Sequence, residues 1–304
     1  MSLTLPASID VAGFDALHDD VARWRGLIAS IGAGYSASPV EAAGAGTVLV
    51  GLVGQDLVVK LYPPFLRDHF EFEAAVLERL QGRLSVPTPQ LVDRSEHDGW
   101  PFLVMTQLAG EPLDAAWPSL SEAARCRVLE SIGRVAAEVH ALAPDGLAAL
   151  APAWDHFVQR QRAGCLRRQQ RTGLPAHLLA QLEPFVDGAL PEGPPVILTG
   201  EYTPMNLLLQ RRETRLAGMF DFGDGLLGPA RYDWLGPLCF LAAGQRERCD
   251  AFLAGYGAPA GRDWRLPLLR LLLLHRYSNL PGQIAQPGWQ AAPSFEALAE
   301  LIWP

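Results

Sequence analysis

Residues 196–210, VILTGEYTPMNLLLQ, set a carboxylate, Glu201, and an amide, Asn206, on a polar turn between two apolar runs. Further on, Asp221 opens the stretch DFGDG, with Asp224 behind it. Residues 207–210 and 215–220 read as two strands around the turn RRET, and such a hairpin returns the chain to its starting end. Asn206 and Asp221 should therefore lie side by side. Two hard oxygen donors held in this way suit Mg²⁺, which takes one or two protein oxygens and fills its shell with phosphate and water. Glu201, on the loop beside them, could hold a reacting hydroxyl. Taken singly, the same residues serve equally well as turn formers or a strand-end cap.

The basic residues supply a fourth candidate. Among 25 lysines and arginines there is one lysine, Lys60. Lysine is a compact point charge that reaches a phosphate oxygen, whereas arginine is a wider planar fork, so a position that needs lysine would resist the bias. Residues 67–83 read as a helix ended by Gly82, with an apolar face made by Phe70, Leu77 and Leu80. Glu71 and Glu78 point away from that face, but Glu73 falls in its middle. A carboxylate there needs a partner, because an unpaired buried charge is costly. Lys60, on the adjacent strand, is the natural one.

The surrounding elements must position these groups. Residues 14–31 have the spacing of one amphipathic helix. TVLVGLVGQDLVVKLY, from residue 47, reads as a hairpin about GQD that follows the small-residue segment EAAGAG and carries Lys60 near its end. After SVPTPQ comes a further strand, PFLVMTQL, and then AGEPL, which reads as a hinge between domains. Beyond it the chain turns largely helical. Ser119 and Glu122 have capping-box spacing ahead of a helix with Val128, Ile132, Val135, Val139 and Leu142 on one face. His140 on that helix reads as a packed histidine, and residues 160–171, RQRAGCLRRQQR, as a solvated basic helix.

Composition bounds the possibilities. With 304 residues and 49% hydrophobic content there is material for a large core split into two domains. A net charge of −8 argues against a general nucleic-acid surface. The longest apolar run, residues 266–275, is too short to span a bilayer and contains Arg270, so no membrane role is expected. The four cysteines have no metal-ligand spacing and read as reduced thiols. With no signal-peptide pattern at the start, a cytoplasmic location is expected. GAGYSA, residues 32–37, matches a loose dinucleotide fingerprint, which would make an oxidoreductase. That fingerprint must follow a strand and open a helix, and here a helical pattern precedes it.

A glycine-bearing hairpin, a strand lysine, a helix glutamate, a hinge strand, a loop acid with asparagine five residues on, and DFG follow one another in the order of the protein-kinase signature set. The chain resembles the aminoglycoside phosphotransferase-type small-molecule kinases, the group that also includes choline kinases and type II homoserine kinases. The resemblance covers nearly the whole chain, through EAAVLERLQGRLSVPTPQLV, FLVMTQLAGEPL, FDFGDGLLGPARYDW and LLLLHRYSNLP. It implies an α/β (α+β) two-lobed kinase-like fold, with a β-rich lobe over residues 1–105 and a mainly helical lobe over 106–304. It also implies transfer of the γ-phosphate of ATP or GTP to a hydroxyl of a small molecule, with Mg²⁺. By the same resemblance Lys60 would contact the α and β phosphates and pair with Glu73. Asn206 and Asp221 would hold the metal, assisted by Asp224. The backbone of Thr106 and Leu108, next to Met105, would hold the adenine edge. Gly44 and Gly46 would let backbone approach the phosphates, and Asp233 would brace the catalytic loop.

One departure falls at Thr199, Gly200 and Glu201, where the family usually has His-Gly-Asp. Glutamate keeps the carboxylate and adds about 1.5 Å of reach, on the scale at which misplacement costs about a hundredfold in rate. A loop set slightly further back restores the distance, which makes Glu201 a working base. The alternative is a kinase fold that binds nucleotide or a partner without transferring phosphate. The acceptor itself, aminoglycoside, amino alcohol or sugar, is not legible, and neither is the oligomeric state.

Overall fold

The computed structural model describes residues 5–43, 46–200, 202–212 and 214–304. The chain divides into two compact units, one of Met1–Arg83 with Pro87–Ala109, the other of Leu84–Val86 with Gly110–Pro304.

The first unit opens with α1 (Val11–Asp19) and α2 (Val21–Gly32), where the spacing of residues 14–31 predicts one helix. The helix breaks at Asp20, which has φ −86° and ψ 68° and accepts the Arg23 N–H on its carboxylate. A short acidic side chain competes for backbone N–H groups and favours a cap over a helix interior. Five strands follow: β1 (Val40–Ala42), β2 (Leu49–Val53), β3 (Leu57–Leu61), β4 (Leu91–His97) and β5 (Trp100–Thr106). α3 (Arg67–Leu80) lies between β3 and β4 in sequence. The sheet is antiparallel, in the order β1-β2-β3-β5-β4. Side chains alternate across a strand, so Val59 and Leu61 enter a core with Trp24, Ile28, Leu49, Trp100 and Phe102, while Lys60 faces α3. Gly51 lets α2 close on the sheet, since a Cβ there would lie 2.5 Å from Ile28 Cγ2. Residues 32–37 run from the end of α2 toward β1, the reverse of the strand-to-helix order that a dinucleotide fingerprint needs.

The second unit begins with β6 (Glu111–Pro112), α4 (Leu113–Ala116), α5 (Glu122–His140) and α6 (Trp154–Arg171). Two short helices, α7 (Ala176–Leu179) and α8 (Leu182–Val186), lead to β7 (Val196–Leu198), β8 (Leu207–Gln210), β9 (Arg215–Met219) and β10 (Leu226–Gly228). It closes with α9 (Arg246–Tyr256), α10 (Arg265–Leu274), α11 (Leu280–Gln283) and α12 (Phe295–Ile302). β7 pairs with β10, and β8 lies between β6 and β9, all antiparallel.

Two expectations are corrected in this unit. The N-cap of α5 is Ser121, whose hydroxyl accepts the Ala124 N–H, because Ser119 still belongs to the preceding turn of residues 117–119, where its hydroxyl donates to Ala116 O at 2.7 Å. Residues 160–171 are not simply solvated. Cys165 and Gln169 are buried, and Arg168 and Gln169 donate to Leu273 O at the end of α10. Only one face of that helix, with Arg160, Arg167 and Arg171, is left to water.

α5 and α9 cross where both carry glycine. A Cβ on Gly133 would lie 2.2 Å from Phe252 O, and one on Gly255 would lie 2.0 Å from Glu130 O. α10 is sheathed in leucine, and its Arg270 escapes by donating to Phe185 O and Ala189 O. Among the described residues no helix is long and apolar enough to cross a membrane. All four cysteines are free.

Candidate active site

Lys60 Nζ donates to both carboxylate oxygens of Glu73, at 2.7 and 3.0 Å, and both side chains are buried. Glu71 and Glu78 are exposed, as the helical spacing requires. Tyr62 adds a third member that sequence reasoning missed, its hydroxyl donating to Glu73 Oε2. Its position was readable, because residues two apart at a strand end share a face. Two donors on one carboxylate fix the ammonium at one end of a buried pair, an arrangement held by geometry more than by net stabilisation.

In the second unit the β8–β9 hairpin sets Leu207 opposite Met219, and the Phe220 N–H donates to Asn206 O at 3.1 Å. Asn206 and Asp221 thus stand at the same end of the hairpin. Asp221 has φ +70°, a left-handed conformation that costs a non-glycine residue about 1–2 kcal/mol. Strain of this kind collects at functional positions. Among the described residues no group of three or more His, Cys, Asp or Glu could hold a metal. The amide and carboxylate oxygens of Asn206 and Asp221 are the hard donors that fit Mg²⁺, whose shell needs few protein oxygens.

The loop after β7 is pinned by one buried carboxylate. Asp233, 2% exposed, accepts the Gly200 N–H on Oδ1 at 2.8 Å, and the Thr199 N–H on Oδ2 at 2.9 Å. Oδ2 also meets His140 Nε2 at 3.1 Å, and His140 Nδ1 meets the Tyr256 hydroxyl at 2.9 Å. A carboxylate only accepts, so His140 Nε2 carries the proton. Burial, then the Asp233 charge, raises the Tyr256 pKa. Asp233 is therefore a brace, and His140, a packed histidine, extends that brace to α9. Gly200 has φ +72°, and a Cβ there would lie 3.0 Å from Asp224 O, so glycine is needed on both counts. Glu201 itself lies outside the described residues, as does Gly44.

Asp224 is engaged within the chain: Arg276 donates to Oδ1 at 3.0 Å, and the Tyr277 hydroxyl lies 3.1 and 3.2 Å from the two oxygens. Burial opposes the Arg276 charge, but Tyr232, Asp224 and Tyr277 outweigh it and raise its pKa. Next to it, burial and the charges of Arg276 and Arg168 push His275 down to about 3, and its ring stacks on Tyr232. LLLLHRYSNLP marked this segment in the sequence, but nothing local tied it to Asp224.

In the first unit Met105 is buried in β5, and the Thr106 N–H is already given to Gln90 O. Leu108 lies two residues beyond Thr106, past the end of β5. Gly46 lies between β1 and β2 with ordinary van der Waals space about it. A cavity of about 640 Å³ opens elsewhere, in the second unit, lined by Trp154, Arg162, Asp187, Glu192 and Pro229 among others. It sits at the Val196–Gly228 end of the β7–β10 pair, opposite the end that carries Gly200. The length of the strand, on the order of 10 Å, separates the two.

The model of a family described as the phosphotransferase enzyme family, APH, matches residues 37–268. Solved structures with a similar fold include the GDP and kanamycin complex of APH(2'')-IIIa, at 19% identity and a TM-score of 0.65, covering 82% of this chain and 86% of that one. The ADP and streptomycin complex of APH(3'')-Id from Streptomyces rimosus matches at 20% identity and 0.62, covering 84% and 98%. The macrolide 2'-phosphotransferase MphH from Brachybacterium faecium matches at 17% and 0.60, covering 91% and 98%. The chain therefore belongs to the phosphotransferase enzyme family, with the kinase-like α+β fold of the aminoglycoside phosphotransferases.

Proposed function

We propose that the protein transfers the γ-phosphate of ATP or GTP to a hydroxyl of a small molecule. The observation that carries this reading is the single lysine of the chain, buried and ion-paired to a helix glutamate in a member of a phosphotransferase family. Lys60 would hold the α and β phosphates, with Glu73 and Tyr62 keeping its ammonium in place. Thr106 and Leu108 would meet the adenine edge beside Met105, and the segment with Gly44 and Gly46 would cover the phosphates. Asn206 and Asp221 would hold Mg²⁺, which neutralises phosphate charge when bound. Glu201 would accept a hydrogen bond from the acceptor hydroxyl and orient it. Phosphoryl transfer is mostly positioning and electrostatic stabilisation, so a carboxylate on a braced loop suffices as base. Asp224, held by Arg276 and Tyr277, would bear on the metal only indirectly.

Glutamate at position 201 favours a second reading, nucleotide binding without transfer. Calorimetry with ATP, with and without Mg²⁺, tests what the two readings share, and binding should tighten with Mg²⁺. Single-turnover transfer from labelled ATP then separates them. Glu201→Gln should cut transfer by at least a hundredfold with nucleotide affinity almost unchanged, and Asp221→Asn should weaken binding of the Mg²⁺ complex. Equal transfer rates from wild type and Glu201→Gln would remove Glu201 as the base.

A further inference from the structure

We propose that the acceptor is a neutral polyhydroxylated ring, a sugar or a cyclitol, and that Tyr277 is the specificity-determining residue against which it lies. This rests on the phosphotransferase reading above and concerns the same loop. Among the described residues, the large hydrophobic side chains that the second unit exposes are Met205, at 58%, and Tyr277, at 45%. Both lie at that loop. Met205 directly precedes Asn206. The Tyr277 hydroxyl is held on the Asp224 carboxylate, and the Asp224 backbone lies against Gly200, next to Glu201. An exposed ring oriented through its hydroxyl is a ready wall for the apolar C–H face of a sugar.

Charge selects among acceptors. A polycation needs carboxylate beyond the Asp221 and Glu201 that serve the metal and the hydroxyl, and the Asp224 charge is already matched by Arg276 at 3.0 Å. From Tyr277 to Phe295 the chain, YSNLPGQIAQPGWQAAPSF, has no charged residue. It carries instead the amides Asn279, Gln283, Gln286 and Gln290, and Gln283 Nε2 donates to Tyr277 O at 3.4 Å. Amides both donate and accept, which suits hydroxyls. The acids that line the 640 Å³ cavity, Asp155, Asp187 and Glu192, lie at the far end of β7 and do not change this balance.

The test uses the full chain saturated with Mg²⁺ and a non-hydrolysable ATP analogue, whose binding is first measured by calorimetry. Saturation-transfer NMR is then recorded with methyl β-D-glucopyranoside and myo-inositol as neutral probes, and with kanamycin and choline as cationic ones. At least one neutral probe should receive saturation at its ring C–H protons more strongly than either cation. At saturating analogue, Tyr277→Ala should weaken that signal about tenfold, and Tyr277→Phe should retain most of it. Exchanging the exposed amide beside Tyr277 for an acid, Asn279→Asp, should shift preference toward kanamycin severalfold. A wild-type preference for kanamycin or choline, or no signal from either neutral probe, overturns the proposal. Failure of the analogue to bind would instead count against the phosphotransferase reading, so the two failures are distinct.

Discussion

The backbone N–H of Tyr277 donates to Nδ1 of His275 at 3.2 Å, so this nitrogen must stay unprotonated in the folded chain. His275 keeps some surface exposure, yet the protein packed around it, with Arg276 and Arg168, lowers its pKa to about 3 from an ordinary 6.5. The unfolded chain therefore binds the extra proton between pH 6.5 and 3, and stability rises with pH across that window. The contribution is fully present above pH 6.5 and is lost as pH falls toward 3. A shift of this size corresponds to about 2–5 kcal/mol once residual exposure is allowed for. Denaturant unfolding of wild type and His275→Gln between pH 7 and 4 should show wild type losing stability faster on acidification. Parallel curves would mean that His275 is not the acid-sensitive group. The same N–H contact links acid sensitivity to the Tyr277 segment.

At the scale of elements, the α5–α9 crossing carries the brace of the loop after β7, since α5 supplies His140 and α9 supplies Tyr256. Backbone meets backbone there at Gly133 and Gly255, and a β-carbon has no flexible side chain to displace. Gly133→Ala should destabilise the protein by about 3 kcal/mol or more, through overpacking that must part the two helices. Gly164→Ala on α6, whose new Cβ would meet Arg168 Nη1 at 3.6 Å, should be neutral or stabilising by up to about 1 kcal/mol. Urea midpoints of the two variants check this contrast, and similar midpoints would refute it. The same elements show what sequence can reveal. The hairpin end shared by Asn206 and Asp221, and Glu73 on a buried face, were legible because periods of 2 and 3.6 are local. β1, three residues long, offers too little period to detect. The break at Asp20 and the cap at Ser121 turn on which of two neighbouring polar side chains takes the N–H, a choice that spacing alone leaves open. The reach of His140 to Asp233, and of Arg276 to Asp224, spans dozens of residues and has no local signature.

For the whole molecule, the arginine bias makes a single amine into a reporter. The α-amino group aside, Lys60 is the one amine of the chain, and it is buried at 6% exposure against Glu73 and Tyr62. An amine reagent must reach the amine, and one buried against a carboxylate and a tyrosine hydroxyl offers little access. Labelling with an amine-reactive ester should therefore add one group at the α-amino terminus quickly and one at Lys60 slowly, resolved by peptide mass spectrometry. If Lys60 contacts nucleotide phosphates, Mg²⁺-ATP should slow its labelling about tenfold or more and leave the terminal rate unchanged. Lys60→Arg should lose the slow site while keeping the charge, yet bind nucleotide more weakly, because a planar fork does not occupy the place of a point charge beside Glu73. Equal labelling of Lys60 with and without Mg²⁺-ATP would separate the buried pair from nucleotide binding and reduce it to a structural feature of the sheet. Protection would tie the most biased feature of the composition to the chemistry of the family.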